Sequence, residues 1–187
     1  MKDSPFCHGA CREFDFRAEE YATEAGKFKH LTQLAWQLQQ RIDRAGSEIA
    51  KMTDDLYYLE QDIQSIGRER TNYLRDLSGY ERDLDASTDE YEQRNLRYKI
   101  DECRYKADDC EKRIEAMRRD QQSQNAAKER RSHEMEGWRL EQDRANNDKI
   151  ELEMSLQRQY RALETALSVV ARECDGYEGR SMPARIG

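Results

Sequence analysis

Proline is scarce in this sequence. Pro5 and Pro183 are the only two, one near each end. Nothing between them removes a backbone donor or forces a helix to stop. Histidine is nearly as rare, with three copies, and nucleophilic catalysis needs a base and an oriented partner gathered in a cleft. No glycine-rich phosphate loop of the P-loop or dinucleotide type occurs. We therefore expect no enzyme, no cofactor and no small-molecule substrate. Long apolar runs are missing too. No stretch approaches the roughly 20 apolar residues that span a bilayer, and residues 1–11 lack the apolar centre of a secretory signal. A membrane is not an expected partner.

Apolar material is short overall. Hydrophobic residues make up 36% and charged residues 38%, with a mean hydropathy of -1.17. That is too little for a wide globular core. A narrow seam needs less, because only two positions in seven face a neighbour. Disorder has similar polarity, but the ten tyrosines and the spacing below argue against it. The net charge of -7 is interleaved with basic residues, as on a solvated helix face.

Cysteine is present but unframed. Cys7, Cys11, Cys103, Cys110 and Cys174 are odd in number and scattered, which is not a disulfide framework. Reduced thiols in the cytosol or cytoskeleton fit this usage. Cys7-His8-x-x-Cys11 offers soft donors, but structural zinc usually takes four, in two spaced pairs. His30 and His133 stand alone, so no metal site is expected. Cys103 and Cys110 lie one heptad apart and suit core positions as small apolar residues.

What is present is a heptad repeat. With Ile42, Ile49, Leu56, Ile63, Leu77 and Leu84 at position a, Leu31, Leu38, Ala45, Met52, Leu59, Ile66, Tyr73 and Tyr80 fall at d. The alternation runs unbroken from Leu31 to Leu84, with Arg70 the one charged a residue. Such a repeat winds helices around a partner. We expect an all-α fold: a long coiled-coil rod with a short irregular N-terminal arm and a C-terminal tail. Its leading seam would be the oligomerisation surface.

Five regions follow. Residues 1–26 form a non-helical or partly helical docking arm, with Pro5 and Gly9 as breakers and Phe6, Phe14, Phe16 and Tyr21 seeking a partner surface. Residues 27–117 form a coiled-coil segment whose phase changes near 85–100. There a second seam begins with Leu96, Ile100, Cys103, Ala107, Cys110, Ile114 and Met117. Residues 118–134 read as a polar joint, either a solvent-exposed helix held by charge pairs or a flexible link. Residues 135–175 form another coiled-coil segment, through Met135, Trp138, Leu152, Leu156, Leu163 and Val170. Residues 176–187 read as a flexible, mildly basic tail, for which docking and disorder are comparable outcomes. Ser87 followed by Glu90, Asn125, and Asp148 followed by Glu151 are possible helix starts. Each lacks the Gly/Pro chemistry that usually closes a helical hairpin. A continuous or gently jointed rod is therefore the expected form, and a hairpin or antiparallel bundle the alternative.

The basic residues of the middle, Arg104 to Arg131, are interrupted by Asp108, Asp109, Glu111, Glu115, Asp120 and Glu129. Phosphate tracking wants an uninterrupted stripe, so nucleic acid is not an expected partner. Tyr73, Tyr80, Tyr91, Tyr98 and Tyr105 lie on or beside the seam. They suit a looser core or a face docked on another protein.

The heptads from Leu31 to Leu84, the charged faces and the short ends resemble the small coiled-coil rod proteins of the cytoskeleton, such as those lining ciliary microtubules. The resemblance implies a structural protein that assembles with itself or another coiled coil and lies along a filament, a ciliary or flagellar tubulin lattice in the first instance. The alternative is a soluble adaptor or tether that recruits partner proteins.

Overall fold

The computed structural model describes residues 5–174 and 179–186. Two long α-helices pack together: α1, Pro5–Ala86, and α2, Glu90–Glu173. Helix α1 starts well before the point at which the irregular arm was expected to end. Pro5 is the first described residue of α1, and near a helix start a proline's fixed φ suits the helix and its missing N–H has no intrahelical role. Gly9 is an isolated helical glycine, which costs about 1 kcal/mol without breaking the helix.

The continuous rod gives way to a fold-back between Ala86 and Glu90. Side chains, not glycine, make the turn. Asp89 caps α2, its Oδ1 accepting from the backbone N–H of Tyr91 at 2.7 Å and of Glu92 at 3.1 Å. Ser87 Oγ donates to Glu92 Oε2 at 2.7 Å, and Gln93 Nε2 donates to the Ser87 carbonyl at 2.7 Å. The cap is therefore Asp89 with Glu92 three residues on, in place of the expected Ser87 with Glu90. Among the described residues no non-glycine has a positive φ, so the reversal needs no left-handed residue.

The chain divides into two compact units, residues 44–134 and the pairing of 1–43 with 135–187. The first is a helical hairpin. From α1 it buries Ala45, Ile63 and Ile66 and half-buries Ile49, Met52, Leu56, Leu59, Leu77 and Leu84. From α2 it buries Leu96, Ile100, Cys103, Ala107 and Cys110, with Ile114 and Met117 half-buried. Cross-helix contacts fix an antiparallel register. Arg104 pairs with Glu81 at 2.8 Å, Arg70 with Glu111, Gln121 with Glu60 at 2.9 Å and Arg131 with Glu48 at 2.7 Å. As the partner on α1 moves back along the chain, the partner on α2 moves forward.

The expected phase change near 85–100 is this reversal: the second seam belongs to a second helix facing the first. The seam read as an oligomerisation surface is thus covered by the same chain. Periodicity shows that a face is buried, not what buries it. The expected joint at 118–134 is helical throughout. Gln121, Gln124, Lys128 and Arg131 are half-buried and carry the three-and-four spacing from Met117 to Met135. Arg70, the charged a residue, is half-buried and pairs with Glu111 on the facing helix.

The other unit pairs the beginning of α1 with the end of α2. Leu38, Ile42, Ala145, Leu156, Leu163 and Val170 are buried, and Leu31, Met135, Trp138 and Leu152 are half-buried. Gln142 Nε2 donates to Gln39 Oε1 at 2.8 Å and to the Ala35 carbonyl at 3.3 Å. Ser155 Oγ donates to Glu24 at 2.9 Å. Cys7, Phe14 and Tyr21, spaced by sevens in the phase of Ile42, are buried, and Phe28 is half-buried. The arm is therefore the first turns of the same seam. Each fully buried leucine or valine here contributes about 1.5–3 kcal/mol.

Candidate functional site

The chemically distinctive cluster lies in the unit built from the first and last turns of the helices. Its core joins Phe14, Tyr21, Leu156, Leu163 and Val170, with Cys7 and Cys174 at one edge. Cys7 stands in the first turns of α1. Cys174 follows α2, its backbone N–H still donating to Val170 O at 3.0 Å. Antiparallel pairing brings the two together, and they form a disulfide with Cα atoms 5.2 Å apart. The expectation of reduced thiols is thereby corrected at Cys7 and Cys174. The fold-back closes a sequence separation of 167 residues that no local motif displays. Cys11, one helical turn after Cys7, is a half-buried free thiol with its Sγ 3.9 Å from the Sγ of Cys174. The three sulfurs of Cys7, Cys11 and Cys174 all lie within 4.8 Å of one another.

A second layer is supplied by Gly179–Ile186, part of the stretch read as a flexible tail; residues 176–178 and 187 of that stretch lie outside the described residues. Tyr21 is 2% exposed, and its hydroxyl would be costly to bury without partners. It donates to the Ala184 carbonyl at 3.2 Å and accepts from the Ile186 N–H at 3.0 Å. Met182 and Ile186 pack on the core cluster. Arg180 pairs with Asp15 through both carboxylate oxygens, and its hydrogen bond holds the Asp15 carboxyl below the ordinary value of 3.8. Arg185 lies over the Tyr160 ring, 5.7 Å from its centre, and Tyr160 tilts against Tyr21 at 5.7 Å.

The four aromatics assigned to a docking arm separate. Phe14 and Tyr21 are consumed by the chain's own core, whereas Phe6 and Phe16 are 78% and 58% exposed. The tyrosines separate as well. Tyr73 and Tyr80 are half-buried, with Lys106 and Lys99 over their rings at 5.6 and 5.2 Å. Tyr91, Tyr98 and Tyr105 stand out from α2 at 80%, 69% and 73% exposure. Cys103 and Cys110 are buried free thiols within one antiparallel hairpin, at the core positions their heptad spacing suits. Among the described residues no helix is long and apolar enough to cross a membrane.

No protein family, curated protein or solved structure matches the chain.

Proposed function

We propose that this chain is a non-catalytic structural protein, an antiparallel coiled coil that docks on a protein lattice through the outward face of α2. The carrying observation is the row of Tyr91, Tyr98 and Tyr105. They recur every seven residues, about 10 Å apart along the helix, and therefore share one face. The core of their unit is filled by Leu96, Ile100, Cys103, Ala107 and Cys110, so folding does not require these rings. A tyrosine offers a large apolar body with a hydroxyl that finds a partner when buried, the chemistry of protein contact surfaces.

The lattice proposed is a cytoskeletal filament, with ciliary microtubules the first to test, on the strength of the resemblance to small cytoskeletal coiled coils. Self-association through the leading seam is no part of the proposal, because α2 covers that seam. Co-sedimentation of the full chain with purified microtubules and with actin filaments tests it. The chain should pellet with microtubules, and Tyr91→Ser/Tyr98→Ser/Tyr105→Ser should stay in the supernatant with unchanged far-UV helicity. A chain that pellets with neither filament, or a triple variant that pellets like the parent, would overturn the filament assignment. A soluble complex of fixed stoichiometry with a single protein would instead establish the adaptor.

A further inference from the structure

We propose that Cys7, Cys11 and Cys174 form a thiolate metal site, closed in the disulfide state and opened by reduction, that takes a zinc-class cation. The geometry points to it in three ways. First, Cys7 and Cys11 are four residues apart on one helix, so both sulfurs leave the same face one turn apart. Second, Cys174 meets them from the opposite helix, so the donors come from two packed elements. Third, two thiolates on one tetrahedral zinc, with Zn–S near 2.3 Å, stand about 3.8 Å apart. The Cys11 and Cys174 sulfurs are already 3.9 Å apart, and all three lie within 4.8 Å.

Chemical class follows from the donors. Thiolate sets select soft or borderline cations such as zinc over magnesium or calcium. Three protein ligands leave a fourth position for water or an exchangeable ligand, the pattern of open rather than purely structural zinc sites. A cation bound here would fasten the first turns of α1 to the end of α2, the same elements the disulfide joins. Disulfide and metal compete for the Cys7 and Cys174 sulfurs, so occupancy of the site tracks its redox state.

The steps balance. A phosphine reductant attacks one sulfur of the Cys7–Cys174 bond, and water supplies the oxygen of the phosphine oxide and the protons of two thiols. Binding the cation then releases three thiol protons to solvent with no electron transfer.

The test is cobalt(II) titration of the 187-residue chain under anaerobic phosphine reduction, followed by zinc. One equivalent of cobalt should produce intense sulfur-to-cobalt absorption in the near ultraviolet, and one equivalent of zinc should abolish it. Without reductant the band should be missing. Cys11→Ser should lose the band, whereas Cys103→Ser/Cys110→Ser should keep it. Because a serine at the packed edge can disturb folding, far-UV helicity is recorded for each variant. Alkylation mapping of the unaltered reduced chain supplies a readout that needs no substitution: zinc should shield Cys7, Cys11 and Cys174 together and leave Cys103 and Cys110 unchanged. Lack of a band on the reduced chain, a band that survives Cys11→Ser or vanishes with Cys103→Ser/Cys110→Ser, or shielding that omits any one of the three cysteines would overturn the site.

Discussion

At the scale of single residues, Asp15 and Tyr21 show how a polar contact holds a segment that has no secondary structure of its own. Tyr21 places its hydroxyl between Ala184 and Ile186, and Asp15 grips Arg180. The depressed Asp15 pKa fixes the sign of a pH effect. The charged carboxylate favours the docked segment above its unfolded pKa, and that contribution is lost as pH falls through the folded value. Hydrogen-exchange protection of the Ile186 amide should therefore be full near neutral pH and drop as pH falls below 3.8. Asp15→Asn should show the lowered protection at neutral pH and lose the dependence on pH. An Ile186 amide equally protected in both proteins would remove the ion pair from the docking.

Neither half of this arrangement was readable beforehand. A tail with Gly179 and Pro183 and no periodicity reads equally as loose or docked, and the sequence separation of 165 between Asp15 and Arg180 hides their meeting. The cysteines fail for the same reason: Cys7 and Cys11 are visibly a pair, but Cys174 joins them through tertiary pairing alone. One signal was available. Cys7, Phe14, Tyr21 and Phe28 stand at sevens in the phase of Ile42, so the aromatic arm already belonged to the heptad.

At the scale of elements, the helices were legible, and their reversal was marked only by the phase change near 85–100 and the helix-start pattern at Ser87, with a hairpin as the second reading. Heptad spacing and the lack of internal proline anticipate helix along most of the chain. The reversal between Ala86 and Glu90 carries no glycine or proline. Its chemistry is distributed over Ser87, Asp89, Glu92 and Gln93, each an ordinary helix-surface residue in isolation. In the polar stretch at 118–134 a helix was one of the two readings, but its place on the seam was not legible. Gln121, Gln124 and Arg131 hold seam positions by contacting Glu60 and Glu48 or by lying half-buried, and a hydrophobicity pattern gives such residues no weight.

The cap makes a prediction at this scale. Asp89 satisfies two amides at the start of α2, and replacing such a cap by alanine costs about 1 kcal/mol. Asp89→Ala should lower the unfolding free energy by that amount, read as an earlier denaturation midpoint, and Asp89→Ser should recover most of it. An unchanged midpoint in Asp89→Ala would assign the turn to packing alone.

At the scale of the whole molecule, a seam covered from within has a thermodynamic signature. Unfolding of a self-paired chain does not depend on protein concentration, whereas unfolding of an obligate oligomer does. Sedimentation equilibrium should give the single-chain mass of 22.2 kDa across dilution, with a constant melting temperature. Ile63 is 7% exposed in the hairpin of residues 44–134. Ile63→Ala should cost roughly 2–5 kcal/mol, equally at every concentration. A melting temperature that climbs with concentration would mean that the partner helix comes from another molecule.

The antiparallel register within each unit also limits how such a chain can change in size. One added residue turns everything beyond it by about 100° around the helix axis and would swing Ile63 or Leu163 into water. A seven-residue addition restores the angle but displaces all later cross-helix partners unless the facing helix gains the same segment. Growth and shrinkage are therefore quantised, in matched blocks on both helices, and an unmatched deletion is expected to unpair everything on one side of it.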